Sequence, residues 1–297
     1  VRTFGVEAGP GVPLITFTPY VALTAPVPVL VALALRRWPE AAVGAVALIA
    51  LAAAVLPRAF TGPRPAISGG VPLRVMASNV YEGRGDADTL VRLVRSERVD
   101  VLALEELTPE AVQRLEMAGL RRELPYGEVD ARPGADGGAL YSRLPLRRLP
   151  RVSSPDGNPQ PRVRIAPRGA PAVEIQAVHP PPPIHGDAGI WRAMLRELPS
   201  AGTGGTLGVL LGDFNATLDH RELRRVLDRG YVDAADATGE GFRTTWPAGR
   251  RFPPEIAIDH VLADRRIAAR SLSVHLVPRS DHRAVIAVLE LPRAAMG

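Results

Sequence analysis

Several apolar stretches of this chain, each with the length and composition of a buried β-strand, run directly into acids, amides or imidazoles. Leu73-Arg74-Val75-Met76-Ala77 leads to Ser78-Asn79, and Val99-Asp100-Val101-Leu102-Ala103-Leu104 leads to Glu105-Glu106. Ile175-Gln176-Ala177-Val178 ends on His179 and is followed by four prolines, which cannot extend a ladder. Val209-Leu210-Leu211 gives way to Gly212-Asp213-Phe214-Asn215. Two further polar runs, Ile258-Asp259-His260 and Ser280-Asp281-His282, border apolar segments, the second preceding Ala284 to Leu289. A fold that gathers these strand ends builds one cleft rich in carboxylate, carboxamide and imidazole.

Those groups suit one kind of chemistry. A phosphodiester or pyrophosphate is an anion that repels nucleophiles, so its hydrolysis needs a hard cation on the phosphoryl oxygens, an activated water and a proton for the leaving oxygen. Asn79, Glu106 and Asp281 offer the oxygen ligands that suit Mg²⁺ or Mn²⁺. Taken singly, Asn79 reads as a turn residue and Glu106 as a solvated acid; the ordered set gives them weight. Asp213 and Asn215 are two apart, so an extended strand end would turn both to the same side. By the same rule His260 points away from its neighbour Asp259 and is expected to pack.

In order, these runs resemble the endonuclease/exonuclease/phosphatase superfamily, the deoxyribonuclease I-like group, over roughly Val71 to Leu291. Gly137-Gly138-Ala139-Leu140-Tyr141-Ser142-Arg143-Leu144-Pro145 adds a strand and turn similar to the family's Ser-Arg-x-Pro element. One position departs, Glu105 standing where the family usually has Gln, and Glu106 matches the family's metal ligand. The resemblance implies an α/β fold, a four-layered α/β sandwich of two mixed sheets flanked by helices, although strands alternating with helices would on pattern alone suggest a parallel sheet. It also implies roles. Asn79, Glu106 and Asp281 hold the metal; Asp213 orients or deprotonates water or handles the leaving group's proton; Asn215 donates to a phosphoryl oxygen. Asp259 fixes and polarises His282, and His179 serves as an acid or phosphate ligand. Trp246-Pro247 resembles a family turn near the cleft and is read as structural.

The N-terminal region is of another kind. No charged residue occurs between Ala8 and Leu35, a span longer than the roughly 20 residues that cross a bilayer core. After Arg36-Arg37-Trp38-Pro39-Glu40 comes a second uncharged run, Ala41 to Leu56. The two predict a transmembrane helical hairpin over residues 1–57, a proline- and glycine-rich linker over 58–70 and a catalytic domain over 71–297. Paired arginines at the turn favour a cytoplasmic tip, hence a multi-pass protein of the cell membrane with its catalytic domain extracytoplasmic. A cleaved signal peptide, with its single short apolar region behind a basic leader, fits two apolar stretches poorly. A fragment starting near Val71 is expected to be soluble and active.

Composition excludes some alternatives. The chain has no cysteine, so thiolate metal sites and disulfides are impossible. All 36 basic residues are arginine, spread among 31 acids rather than blocked together, which reads as base composition more than as a nucleic-acid footprint. An N-terminal hairpin ahead of such a domain resembles bacterial membrane-bound family members that include teicoplanin-resistance proteins. That resemblance implies a lipid bilayer as partner and a lipid-linked phosphate or pyrophosphate as substrate. An extracellular nuclease or soluble-substrate phosphodiesterase is the second reading, and a catalytically silent membrane-anchored binding module the third.

Overall fold

A computed structural model describes residues 11–150, 160–184, 186–202, 204–250 and 252–294. His185, to which the sequence assigns no chemistry, and the first residues of the Ala8–Leu35 stretch lie outside the described residues. That stretch breaks into α1 (Gly11–Ile15), α2 (Thr18–Thr24) and α3 (Pro26–Ala34), with Pro19 and Pro26 in first-turn positions where the missing N–H costs no helical bond. After the Arg36-Arg37 turn come α4 (Trp38–Val55) and the single turn α5 (Pro57–Phe60). Among the described residues α4 alone is long and apolar enough to cross a membrane, at 18 residues and mean hydropathy 1.8. It packs beside α3, where a Cβ added at Gly44 would come 3.0 Å from Val29 Cγ2.

The first apolar run gives only a shorter apolar helical stretch, Thr18–Ala34, beside the spanning-length α4. Val12, Ile15 and Thr16 are buried, and the Tyr20 hydroxyl donates to the Glu255 carbonyl at 2.6 Å, so the start of the first apolar stretch is docked on the domain that follows. The residues expected as a linker are also tied down. Arg58 is buried and forms a two-pronged pair with Asp219 at 2.9 and 2.6 Å, and the Ile67 N–H donates to Glu290 at 2.9 Å.

The rest of the chain supplies, in order, β1 (Val71–Asn79), α6 (Ala87–Ser96), β2 (Val101–Glu105), α7 (Pro109–Met117), α8 (Leu120–Glu123), β3 (Tyr126–Asp130) and β4 (Gly138–Ser142). There follow β5 (Leu146–Arg148), β6 (Arg162–Ile165), β7 (Val173–Val178), α9 (Ala188–Glu197), β8 (Leu207–Asp213), α10 (Arg221–Asp228), β9 (Tyr231–Asp233), α11 (Ala234–Ala237), β10 (Asp259–Asp264), β11 (Ala268–Leu276) and β12 (Arg283–Leu291). They make two six-stranded sheets, ordered β11-β12-β1-β2-β4-β3 and β5-β6-β7-β8-β10-β9. Each sheet has one parallel pair, β1 with β2 and β7 with β8, and is otherwise antiparallel, so both are mixed. The wholly parallel sheet suggested by pattern alone fails because short connections such as β3 to β4 and β11 to β12 allow only antiparallel pairing.

Strand periodicity divides the apolar residues between layers. Leu73, Val75 and Ala77 of β1 share the core between the sheets with Leu207, Val209 and Leu211 of β8, which packs across from them, and with Val173, Ile175 and Ala177 of β7. Met76, Leu102 and Leu104 turn outward under α6 and α7, while Leu210 and Leu262 pack under α9 and α10 with Trp191. The helices start where the sequence supplies caps: the Asp86 carboxylate accepts from Thr89 N–H and the Thr108 hydroxyl from Ala111 N–H. This is the four-layered sandwich.

Candidate active site

The topology puts the polar runs together. β1 and β2 run parallel and end at Asn79 and Glu105, while β7 and β8 run parallel and end at Val178 and Asp213. β10 enters antiparallel with Asp259 opposite Asp213, and β12 enters beside β1 directly after Ser280-Asp281-His282. Eight side chains named from the sequence, Asn79, Glu106, His179, Asp213, Asn215, Asp259, Asp281 and His282, thus converge at one end of the sandwich.

Their contacts are specific. His282 Nδ1 lies 3.0 and 3.2 Å from the two Asp259 oxygens, and its Nε2 lies 3.7 Å from Asp213. His179 Nε2 is 3.8 Å from both Asp213 and Glu106. Asn79 donates to Glu106 at 2.9 Å and to Asp213 at 3.2 Å, its oxygen accepting from Tyr81 N–H. Glu106 also accepts from Glu82 N–H at 2.8 Å. Asp281 accepts from the Trp246 indole N–H at 3.1 Å through one oxygen, while the other is buried with no hydrogen-bond partner among the described residues.

Local backbone explains which acid reaches the cleft. β2 ends at Glu105, and Glu106 follows at φ 56°, a left-handed conformation that costs energy in a non-glycine residue and swings its side chain off the strand. Glu105 stays beneath the floor. It is 1% exposed, neither oxygen has a hydrogen-bond partner among the described residues, and a Cβ added at Gly212 would sit 2.7 Å from Glu105 Oε1 and 2.3 Å from Val178 O. Gly212, at φ 139°, is therefore required for β8 to pass.

Asp213 and Asn215 do meet, but not along an extended strand. Asn215 lies at φ 47° and its N–H donates to Asp213 Oδ1 at 2.8 Å, a turn closed by the aspartate. Its carboxamide donates to Pro180 O at 3.0 Å, so it fastens the end of β7 beside the end of β8. His260 points away as expected, held by Asp233 and the Ala216 carbonyl at 2.8 Å each.

The protonation chemistry follows from burial and neighbours. Burial opposes charge on His282, but the Asp259 and Asp213 carboxylates outweigh it and raise the imidazole to about 10. Burial raises Asp213 to about 6 despite His282 beside it. Burial, reinforced by Asp281, also raises Glu106, and burial lowers His179. Glu105 is pushed well above the usual carboxylate range by burial and by the Asp259 and Asp213 charges. So many acids in one dry place favour a bound cation. The donor set fits one: Glu106 and the unpartnered Asp281 oxygen are hard ligands in one cleft, and Asp213, Asp259 and His282 bring ligand atoms within 4.8 Å of one another.

The sequence did not reveal the cleft's other wall. The cleft, about 530 Å³, is also lined by Pro13, Thr16 and Phe17 of the N-terminal segment, by Tyr81 and Asp136, and by the prolines after His179. Trp246, read as merely structural, holds Asp281 directly. Its place before a proline was the available signal. Nothing in the sequence placed residues 13–17 here.

Comparison with known proteins agrees with this geometry. Residues 76–282 match the endonuclease/exonuclease/phosphatase family. D. rerio TDP2 complexed with single strand DNA product is similar at 16% identity and a TM-score of 0.58, covering 73% of this chain and 98% of its own. An AP endonuclease from Archaeoglobus fulgidus is similar at 17% identity and a TM-score of 0.59, covering 72% and 98%. Beta toxin from Staphylococcus aureus gives 16% and 0.53, covering 72% and 99%. At these identities the solved structures speak to fold. No curated protein matches the sequence significantly. The chain belongs to the endonuclease/exonuclease/phosphatase family and is a metal-dependent phosphoric ester hydrolase.

Proposed function

We propose that this member of the family hydrolyses a phosphate ester or pyrophosphate carried on a lipid, at the surface of a membrane. The observation that carries the reading is the composition of the cleft: an acidic floor under an apolar rim of Pro13, Phe17, Pro181, Ile184, Pro253 and Ile256, with no arginine lining it among the described residues. A polyanion such as DNA is gripped through phosphates by Arg and Lys. A single phosphate on an apolar body needs one charged floor and greasy walls.

In this reading Asn79, Glu106 and Asp281 hold Mg²⁺ or Mn²⁺, which when bound polarises the phosphoryl oxygens and neutralises their charge. Asp213 orients the attacking water and takes its proton. His282, kept charged by Asp259, stabilises the phosphoryl oxygens as negative charge builds. His179, whose pKa burial lowers, lies across from Asp213 as a hydrogen-bond donor to a phosphoryl oxygen; to act as the acid for the leaving oxygen it would first have to take up a proton. Asn215 positions the His179 turn, and reaches a phosphoryl oxygen only by exchanging its bond to Pro180 O.

Membrane attachment rests on α4 and on its exposed apolar neighbours, among them Leu30, Val31, Leu35, Val43, Val46 and Ile49. α4 ends where α5 docks, so Arg36 and Arg37 mark its far end; against Arg58, which is buried in its pair with Asp219, and Arg64 at the near end, the exposed arginine pair supports a cytoplasmic tip and an extracytoplasmic catalytic domain. The TDP2 structure with single strand DNA makes nucleic acid the second reading. Full-length protein in lipid nanodiscs with Mg²⁺, given polyprenyl pyrophosphate, a phospholipid and single-stranded DNA in parallel, separates the two. Faster turnover of DNA would replace the lipid reading. Protease added to spheroplasts should digest the domain, and protection would reverse the orientation.

A further inference from the structure

A second cavity, about 550 Å³, lies between the N-terminal helices and the catalytic layers. α4 lines it with Leu48, Ala52 and Val55, spaced four and three apart and hence on one helical face. Across from them stand Leu218, Phe242 and Ile256 of the catalytic domain. The opposite face of α4 carries Val43, Val46 and Ile49, which are 73%, 69% and 68% exposed. The helix thus has two apolar faces, one toward its surroundings and one toward this space. Leu23 and Leu56, which also line it, are 76% and 50% exposed, so the space is an open apolar groove whose hydrocarbon surface gains by covering.

The space is built rather than left over. Its walls are pinned by the Arg58–Asp219 pair and by the Tyr20 hydroxyl on the Glu255 carbonyl, so the nearby polar groups are satisfied and the remaining lining is hydrocarbon. It also adjoins the catalytic cleft, since Thr16 and Ile256 line both. Ile256 exchanges backbone hydrogen bonds with Trp246, whose indole holds Asp281. Thr16 and Ile256 thus stand between a hydrocarbon-lined space and the candidate ligand end of the active site.

We infer that this groove binds the hydrocarbon tail of the substrate, a long acyl or isoprenoid chain, while its phosphate lies in the cleft beyond Thr16 and Ile256; the inference rests on the lipid-phosphate reading above. Its volume falls in the range of small-molecule sites, roughly 300–1,000 Å³. α4 then serves as one wall of the binding site as well as the membrane anchor. A chain entering from the bilayer passes along α4 and keeps its head group at the domain.

The test uses full-length protein in nanodiscs and a twelve-carbon alkyl phosphate with a terminal diazirine. Photolabelling should place adducts on Leu48, Leu218 and Phe242. Ala52→Trp, which fills the groove, or Leu48→Phe, which adds less bulk, should cut those adducts at least about fivefold, while Ile49→Trp on the outer face should not. Adducts confined to Val43 and Val46 would overturn the inference. In parallel, dodecyl and methyl 4-nitrophenyl phosphates are compared. Wild type should favour the dodecyl ester by at least about tenfold in kcat/KM. Ala52→Trp should erase that preference, whereas Ile49→Trp on the outer face should keep it and leave turnover of the methyl ester unchanged. Equal turnover of both esters by wild type, or a preference that survives both groove variants, would also overturn it. Groove labelling without hydrolysis of either ester would instead sink the phosphoesterase reading and leave the tail site standing.

Discussion

Glu105→Gln distinguishes the two adjacent acids at the end of β2. Wild-type Glu105 is 1% exposed and lacks hydrogen-bond partners among the described residues; burial, then Asp259 and Asp213, hold its pKa well above 4.5. The folded chain therefore keeps this proton at pH values where the unfolded chain has released it. With the unfolded state binding fewer protons, stability falls as pH rises, by about 1.4 kcal/mol per unit, from the unfolded pKa until the folded pKa is passed. A carboxamide has nearly the same shape and does not titrate. The stability difference between variant and wild type should be small near pH 5 and should widen in the variant's favour as the pH rises, read as a growing gap in Tm. Asp213, raised to about 6, titrates in the same window in both proteins and largely cancels. Thermal melts of the full-length protein in detergent and chelator from pH 5 to 8 read this out. A difference that stays flat with pH, or a variant less stable at pH 8, would mean that Glu105 is ionised and paired. Hydrolysis should stay within about threefold of wild type, because Glu106 and not Glu105 faces the cleft.

Glu106→Gln should weaken Mg²⁺ binding strongly without unfolding the chain, and chelator should abolish turnover; an unaltered metal titration by calorimetry would remove Glu106 from the site. Trp246→Phe, which deletes the bond to Asp281, should cost roughly 10- to 100-fold in metal affinity by the same measurement. His282→Ala should lower turnover about 10²- to 10⁴-fold, and Asp259→Asn should do so more weakly. In metal-free protein Asp259→Asn should also bring the His282 pKa down from about 10 toward the ordinary imidazole range, and an unmoved value by NMR titration would dissolve the pair. Arg58→Ala strands the Asp219 carboxylate in the interior and should cost roughly 3–5 kcal/mol in denaturant unfolding, whereas a near-zero change would mean that α5 is not docked.

The candidate site residues were legible because each borders an apolar run, Asn79, Glu106, His179 and Asp213 at its end and Asp259, Asp281 and His282 at its start. A strand supplies its own signal in the repeat of Leu73, Val75 and Ala77, and a polar group at its end stands out against that background. Glu106 and Asn215 were legible as types but not as conformations. Their left-handed backbones arise where a strand must stop and turn at the cleft edge, which no propensity of Glu encodes. The antiparallel edges were hidden for a different reason. β3 and β5 are short and half polar, and β6 alternates arginine with apolar residues, so their pairing is fixed by neighbours rather than by composition. The N-terminal region was read as an anchor because hydrophobicity does not say what it covers. Val12, at 0% exposure, is as apolar as Val43, at 73%, yet one packs in the catalytic layers and the other faces outward.

That contrast bears on why the N-terminal helices and the catalytic layers share an interface. A tether on a free linker would only raise the local concentration of an active site that is complete without it. Here α1 seats Val12 against His220, whose ring nitrogen meets the Val12 carbonyl at 3.1 Å, and residues 13–17 close one side of the cleft. Arg58 closes the circuit from the other end of the apolar region. A fragment beginning at Val71 would expose the seat of Val12, leave Asp219 buried without its partner and open the cleft wall, so it should be less stable than the longer chain, which a denaturant unfolding comparison would check. Asn79, Glu106 and Asp281 all lie after Val71, so on the reading proposed above the fragment keeps the candidate metal site. The same proposal gives Pro13, Thr16 and Phe17, which line the cleft, a part in choosing the phosphate, and a fragment with the full chain's preference between lipid and soluble phosphates would refute it.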